Sequence, residues 1–109
     1  MASATWHKEE RMYGLTGSLM VLPENRQALV EALLEGARDM PGCVSYAVGE
    51  DTEDESVVWV SEVWVSRQSH SEALTLPHVR EAIERARPLL VGFGARHEYD
   101  IKGGIGLEE

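Results

Sequence analysis

Apolar residues change their period several times along this chain, and each change marks an element. From Tyr13 to Leu22 the run YGLTGSLMVL is rich in Leu, Val, Thr and Met and carries no charge, which predicts a first strand. Pro23 and Glu24 suit the first turn of a helix, and Asn25 is a competing N-cap two residues on. Leu29, Leu33, Gly36, Ala37 and Met40 then recur at steps of three and four, predicting a helix to about Asp39 that Pro41 and Gly42 close. Between Cys43 and Gly49, Val44, Tyr46 and Val48 fall on one face of a half-buried strand. Glu50 to Glu55, acidic except at Thr52, reads as a solvated hairpin loop without the spacing or glycine of a calcium loop.

Ser56 to Val65 carries the strongest strand signal. Val58, Val60, Glu62 and Trp64 form one face, and Val57, Trp59, Ser61, Val63 and Val65 the other. Both faces are largely apolar, so this strand expects cover on both sides. Ser69 with Glu72 has capping-box spacing for a short helix, with Ser66 as an earlier start. Pro77 restarts the chain, and Val79, Ala82, Ile83, Ala86 and Leu90 make an apolar stripe opposite an i,i+4 pair, Glu81 and Arg85. Pro88 makes the last turn irregular, and Gly92 to Ile101 reads as the last strand. Residues 1–12, polar and without period, read as a mobile arm, residues 13–101 as the domain and 102–109 as a flexible tail.

The order strand, helix, strand, strand, helix, strand specifies two right-handed crossover halves. Together they make an α+β ferredoxin-like βαββαβ sandwich, a four-stranded antiparallel sheet with helices on one face. The other face is left bare, and with Trp59 or Trp64 on it a monomer would expose a large apolar patch. A homodimer packed sheet to sheet resolves this.

Composition narrows the partners. At 109 residues the chain makes one domain, and 43% hydrophobic with 27% charged residues is the mix of a globular protein. A net charge of -9 argues against nucleic acid and anionic membranes. No apolar run is long enough to span a bilayer, and the first fourteen residues lack the apolar core of a signal peptide. Cys43 is the single cysteine, which excludes an intrachain disulfide and fits a reducing, cytoplasmic setting. Neither GxGxxG nor a P-loop is present, so no cofactor is expected.

At Glu62–Trp64 (EVW) followed by Leu74–Val79 (LTLPHV), and with Pro41–Gly42 ahead of the second strand, the chain resembles the antibiotic-biosynthesis monooxygenase (ABM) family across about residues 13–101. The resemblance implies a dimeric α/β barrel with a pocket in each subunit between sheet and helices. It implies oxidation of quinols or anthrone-like polyketides by dioxygen without flavin, haem or metal. Where quinol-type members carry a histidine, this chain has Ala73. The polyketide branch is similar at Trp64; its pocket tyrosine falls at His70, its asparagine at Val60 and its later arginine near Glu84. The residues that haem-degrading relatives need are missing.

The candidate site follows from these positions. His70 is the candidate catalytic base, since its ordinary pKa of about 6.5 lets it accept a proton near neutrality; the alternative is a surface histidine in a first helical turn. Trp64, Glu62, His78 and Val60 are the candidate substrate-binding residues. Trp64 serves as a wall, in pocket or core. Glu62, between Val60 and Trp64, needs a partner such as an arginine of a second subunit. His78, directly after Pro77, either enters the pocket or bonds backbone at the helix start. Zinc at His70 and His78 would need a third ligand such as Glu62, and the spacing is not that of a helical site. The expected function is a cofactor-independent monooxygenase acting with dioxygen on a small phenolic, quinol-like or polyketide aromatic. The alternative is a non-catalytic homodimer of the same fold that binds or senses a small molecule.

Overall fold

Strand β1 (Tyr13–Val21) opens the ordered fold in the computed structural model, which describes residues 11–107. It is followed by α1 (Arg26–Gly36), β2 (Cys43–Glu50), β3 (Val57–Trp64), α2 (Arg67–Ala73), α3 (Pro77–Ala86) and β4 (Leu90–Asp100). The expected arm, residues 1–12, lies outside the described residues except for Arg11 and Met12. Met12 is tied in, its carbonyl accepting from the Ile101 N–H at 2.9 Å. Residues 101–107 contain neither helix nor strand.

The sheet is antiparallel in the order β2-β3-β1-β4, the ferredoxin-like arrangement. Register fixes which residues meet the helices. Tyr13 lies opposite Trp64, Leu15 opposite Glu62 and Leu19 opposite Val58, while Tyr46 of β2 lies opposite Glu62 from the other side. Side chains alternate along a strand, so these positions share one face. Val21 and Val58 on that face bury fully with Leu29 and Ala32 of α1 and Ala86 of α3. A second cluster joins Tyr13, Leu15 and Trp64 to Ala73 of α2. On the opposite face Val57, Trp59 and Val63 are half-buried within the single chain. The Trp59 Nε1–H donates to Asp51 Oδ2 at 2.8 Å, which ties this indole to the acidic hairpin.

Helix α1 stops at Gly36, short of the expected end near Asp39, and Asp39 takes a left-handed φ of 50°. Gly36 sits where α1 meets α3: a Cβ there would lie 2.5 Å from that of Ala82, so only glycine permits this approach. The apolar period continues past the helix because Ala37 and Met40, though outside it, still face the interior cavity. A 3₁₀ turn (Pro23–Asn25) precedes α1, and Asn25 makes no side-chain cap. Helix α2 is capped by Ser66, whose Oγ accepts from the Ser69 N–H at 3.0 Å, and not by Ser69. Arg85 pairs across to Glu35 of α1 at 2.5 Å instead of down its own helix to Glu81. Strand β4 begins at Leu90, two residues before the expected Gly92.

A register shift between β1 and β4 falls at Ser18. Ser18 is buried, and its Oγ accepts from the Ala95 N–H at 2.8 Å, satisfying an amide that the bulge removes from the ladder.

Candidate active site

Between the sheet and the helices lies a cavity of about 600 Å³, a size typical of small-molecule sites. Strand β3 supplies its floor through Glu62 and Trp64, β2 through Tyr46, and α2 closes one end with His70 and Ala73. Leu33, Met40, Val79 and Ala82 add apolar wall. Leu74, Ile83, Arg87 and Phe93 line it while exposed to solvent, and so mark its mouth. A second lobe of about 300 Å³ shares Leu19, Leu33, Tyr46, Glu62 and Phe93 with the first, and extends over Val60 toward Arg96. Tyr46 and Glu62 therefore stand where the two lobes meet.

Trp64 is 1% exposed. Its indole Nε1–H donates to Glu62 Oε1 at 2.9 Å, two residues back on the same strand face. Glu62 thus has one donor inside its own chain, on Oε1. His70 meets the Trp64 ring nearly edge-on, with centroids 5.4 Å apart and planes at 72°. Its Nε2 lies 3.9 Å from Glu62 Oε1, within Coulombic reach but too long for a hydrogen bond. Burial pushes the His70 pKa below its ordinary 6.5, and the Glu62 charge offsets only part of that shift. The imidazole is accordingly neutral near pH 7 and available as a proton acceptor.

Behind His70 stands a polar buttress. Tyr13 lies against the imidazole at 5.5 Å between centroids, and the Arg67 guanidinium sits 4.9 Å over the Tyr13 ring. Glu98 of β4 accepts from Arg67 Nη1 and Arg96 Nη1, each at 2.5 Å, and from the Tyr13 hydroxyl at 3.1 Å. These three donors hold the Glu98 carboxyl down to about 2. The first turn of α2 is thereby anchored to β4, which fixes His70 over the cavity.

Two candidates fall elsewhere. Val60 lines the second lobe. His78 does not line either lobe: its Nε2 meets the Arg38 carbonyl oxygen at 2.5 Å. Because α1 ends early, that carbonyl lacks a helical partner, and the first turn of α3 delivers a ring nitrogen to it. Of the two readings of His78, the structure shows the backbone bond at the helix start. Among the described residues no three His, Cys, Asp or Glu side chains converge to hold a metal ion. Cys43 is half-buried, with its thiol pushed up by burial and then by the Glu62 charge, and so suits packing rather than nucleophilic work.

Tyr46 was the residue that sequence reasoning missed. It shares a face with Val44 and Val48 in the alternation of β2, and that pattern alone reads as core. Burial, and then the Glu62 charge, raise its pKa far above the ordinary tyrosine value, so its hydroxyl stays protonated. Among the described residues it makes no side-chain hydrogen bond, and its one signal in the sequence was a polar tip on an apolar face.

Comparison with known proteins agrees with this architecture. The family model for antibiotic biosynthesis monooxygenase matches residues 12–85. The chain belongs to the antibiotic biosynthesis monooxygenase family. A crystal structure from Chloroflexus aurantiacus J-10-fl, named for the same family, is 44% identical, with a TM-score of 0.86 over 89% of this chain and 99% of that one. A Caulobacter crescentus CB15 structure, also named for this family, is 20% identical with a TM-score of 0.80 over 88% of this chain and 94% of that one, and shows the fold alone. An uncharacterized protein of Synechocystis sp. is 34% identical over 80 residues, 70% of this chain, which spans only 54% of that relative's length. No described helix is long and apolar enough to cross a membrane.

Proposed function

We propose that this ABM protein is a cofactor-independent monooxygenase that oxidises a small phenolic, quinol-like or polyketide aromatic with dioxygen. One observation carries the reading: a neutral, half-buried imidazole, His70, lines an apolar cavity beside a carboxylate and an indole. A phenol bound there loses its proton to His70. The electron-rich phenolate passes one electron to dioxygen, and the resulting radicals combine at a ring carbon that carries hydrogen. Loss of water from the hydroperoxide leaves a carbonyl at that carbon. One oxygen atom of dioxygen stays in the quinone-type product and the other leaves as water, so the substrate supplies every electron. The apolar walls exclude solvent from the radical pair, and Trp64, buried in the core, holds the Glu62 carboxylate in place beside them.

In this proposal the functional unit is a homodimer, with the Trp59 face of one sheet packed on that of the other, and its setting is the cytoplasm. The test is oxygen consumption with a panel of dihydroxynaphthalenes and anthrones, using protein stripped of metal and free of flavin. Turnover of at least one of them supports the reading, and none with any of them removes it.

One feature favours a second reading, a non-catalytic ligand-binding homodimer. Catalytic histidines are ordinarily oriented by a hydrogen bond to the second ring nitrogen. Here neither ring nitrogen of His70 has one among the described residues, and Ala73 fills the position where quinol-type relatives carry histidine.

A further inference from the structure

On the reading that this cavity takes a phenolic ligand, we propose that Tyr46 and Glu62 form a hydroxyl-recognition pair that retains the reduced, phenol or hydroquinone, form of the ligand and rejects its quinone or ketone form.

The pair is built by register. Tyr46 and Glu62 face each other directly across β2 and β3, and both line both lobes of the cavity. Directly opposed residues in an antiparallel pair hold their Cβ atoms about 4.5–5.5 Å apart, so both tips can reach one ligand atom. No hydrogen bond joins the two. Glu62 Oε1 is taken by the Trp64 indole, whereas Oε2 has no donor among the described residues. The Tyr46 hydroxyl is likewise unpartnered there, and it is held in its protonated, donating form. The gap between them thus offers one hydrogen-bond donor and one acceptor, at the junction of the two lobes.

A ligand hydroxyl satisfies both groups at once: it donates to the Glu62 carboxylate and accepts from Tyr46. A carbonyl oxygen satisfies only Tyr46. It turns a lone pair toward a carboxylate that can give it nothing, and that carboxylate loses the hydration it had in the empty cavity. Sites built to bond a ligand hydroxyl reject analogues without it for this reason. Oxidation replaces the hydroxyl by a carbonyl, so the same pair that holds the substrate weakens its hold on the product. Two arginines also line the lobes: Arg87 at the mouth of the main one, and Arg96 in the second, where it donates to Glu98.

The test is calorimetric titration under argon with 2,3-dimethyl-1,4-naphthohydroquinone and with its quinone. The substituted ring leaves no carbon for oxygenation and blocks addition of Cys43. The wild type should bind the hydroquinone about tenfold more tightly or better, the worth of one charge-assisted hydrogen bond. Glu62→Gln, whose amide still accepts from Trp64 but can also donate, should narrow the ratio to about twofold. Tyr46→Phe should weaken both forms and leave the ratio in place; near-UV circular dichroism confirms folding of each variant. Equal wild-type affinities, or a ratio that survives Glu62→Gln, overturn the pair while leaving the phenol-binding cavity intact. Failure of the wild type to bind either form overturns both.

Discussion

The Trp64 indole donates to Glu62 from two residues along the same strand, at 2.9 Å, so a fully buried indole and the cavity's carboxylate are one bonded unit. A half-buried acid on a strand face is costly alone; here its neighbour supplies one donor. Trp64→Ala should destabilise the fold by about 3–5 kcal/mol, as truncation of a buried aromatic does, and should also weaken ligand binding. Urea denaturation measures the first effect and calorimetry the second. A loss below about 1 kcal/mol would mean that the indole is not part of the core.

The lowered pKa of His70 sets a direction for stability against pH. The unfolded chain takes up the imidazole proton near 6.5, while the folded chain resists it to lower pH. Stability from this group is therefore complete above about 6.5 and declines as pH falls from there toward the folded-state value. Urea midpoints measured down to pH 5 should fall, and His70→Gln should flatten that part of the curve. A His70→Gln curve as steep as that of the wild type would contradict the burial of a neutral imidazole.

Gly36 lets α1 pack closely on Ala82 of α3, and both residues line the cavity. Gly36→Ala should therefore destabilise by about 1–3 kcal/mol from overpacking, even though alanine favours a helix more than glycine does. Adding Ala82→Gly should restore much of the loss. Thermal melts of the two variants decide it, and a stabilised single variant would show that the helices part freely.

The sheet face with Val57, Trp59 and Val63 should be covered by a second copy. Sedimentation at micromolar concentration should give a dimer, and Trp59→Glu should weaken it by burying a charge in the interface. A stable wild-type monomer would contradict this and leave the half-buried Trp59 face to solvent.

Much of this was legible in the residues. The changes of period gave the element order, and the two faces of Ser56–Val65 anticipated which residues share the helix side with Trp64. The less legible features were those that depend on chain segments meeting. Tyr46 looks like core until register sets it opposite Glu62. His78 makes the backbone bond that its place after Pro77 allowed, but that the acceptor is the Arg38 carbonyl depends on where α1 ends. Arg85 prefers Glu35 across the helix pair for the same reason: the partner comes from a neighbouring element and carries no local spacing. The Glu98 buttress joins residues 13, 67, 96 and 98, a separation no motif could signal.

The most direct test of the proposed oxygenation is reaction of metal-stripped, flavin-free protein with ¹⁸O₂ and a dihydroxynaphthalene or anthrone that it consumes, comparing wild type with His70→Ala. One labelled oxygen atom should enter the product per dioxygen used, and His70→Ala should lower the rate about 10²–10⁴-fold while circular dichroism shows an intact fold. Product without label, or a His70→Ala rate equal to that of the wild type, would contradict the account.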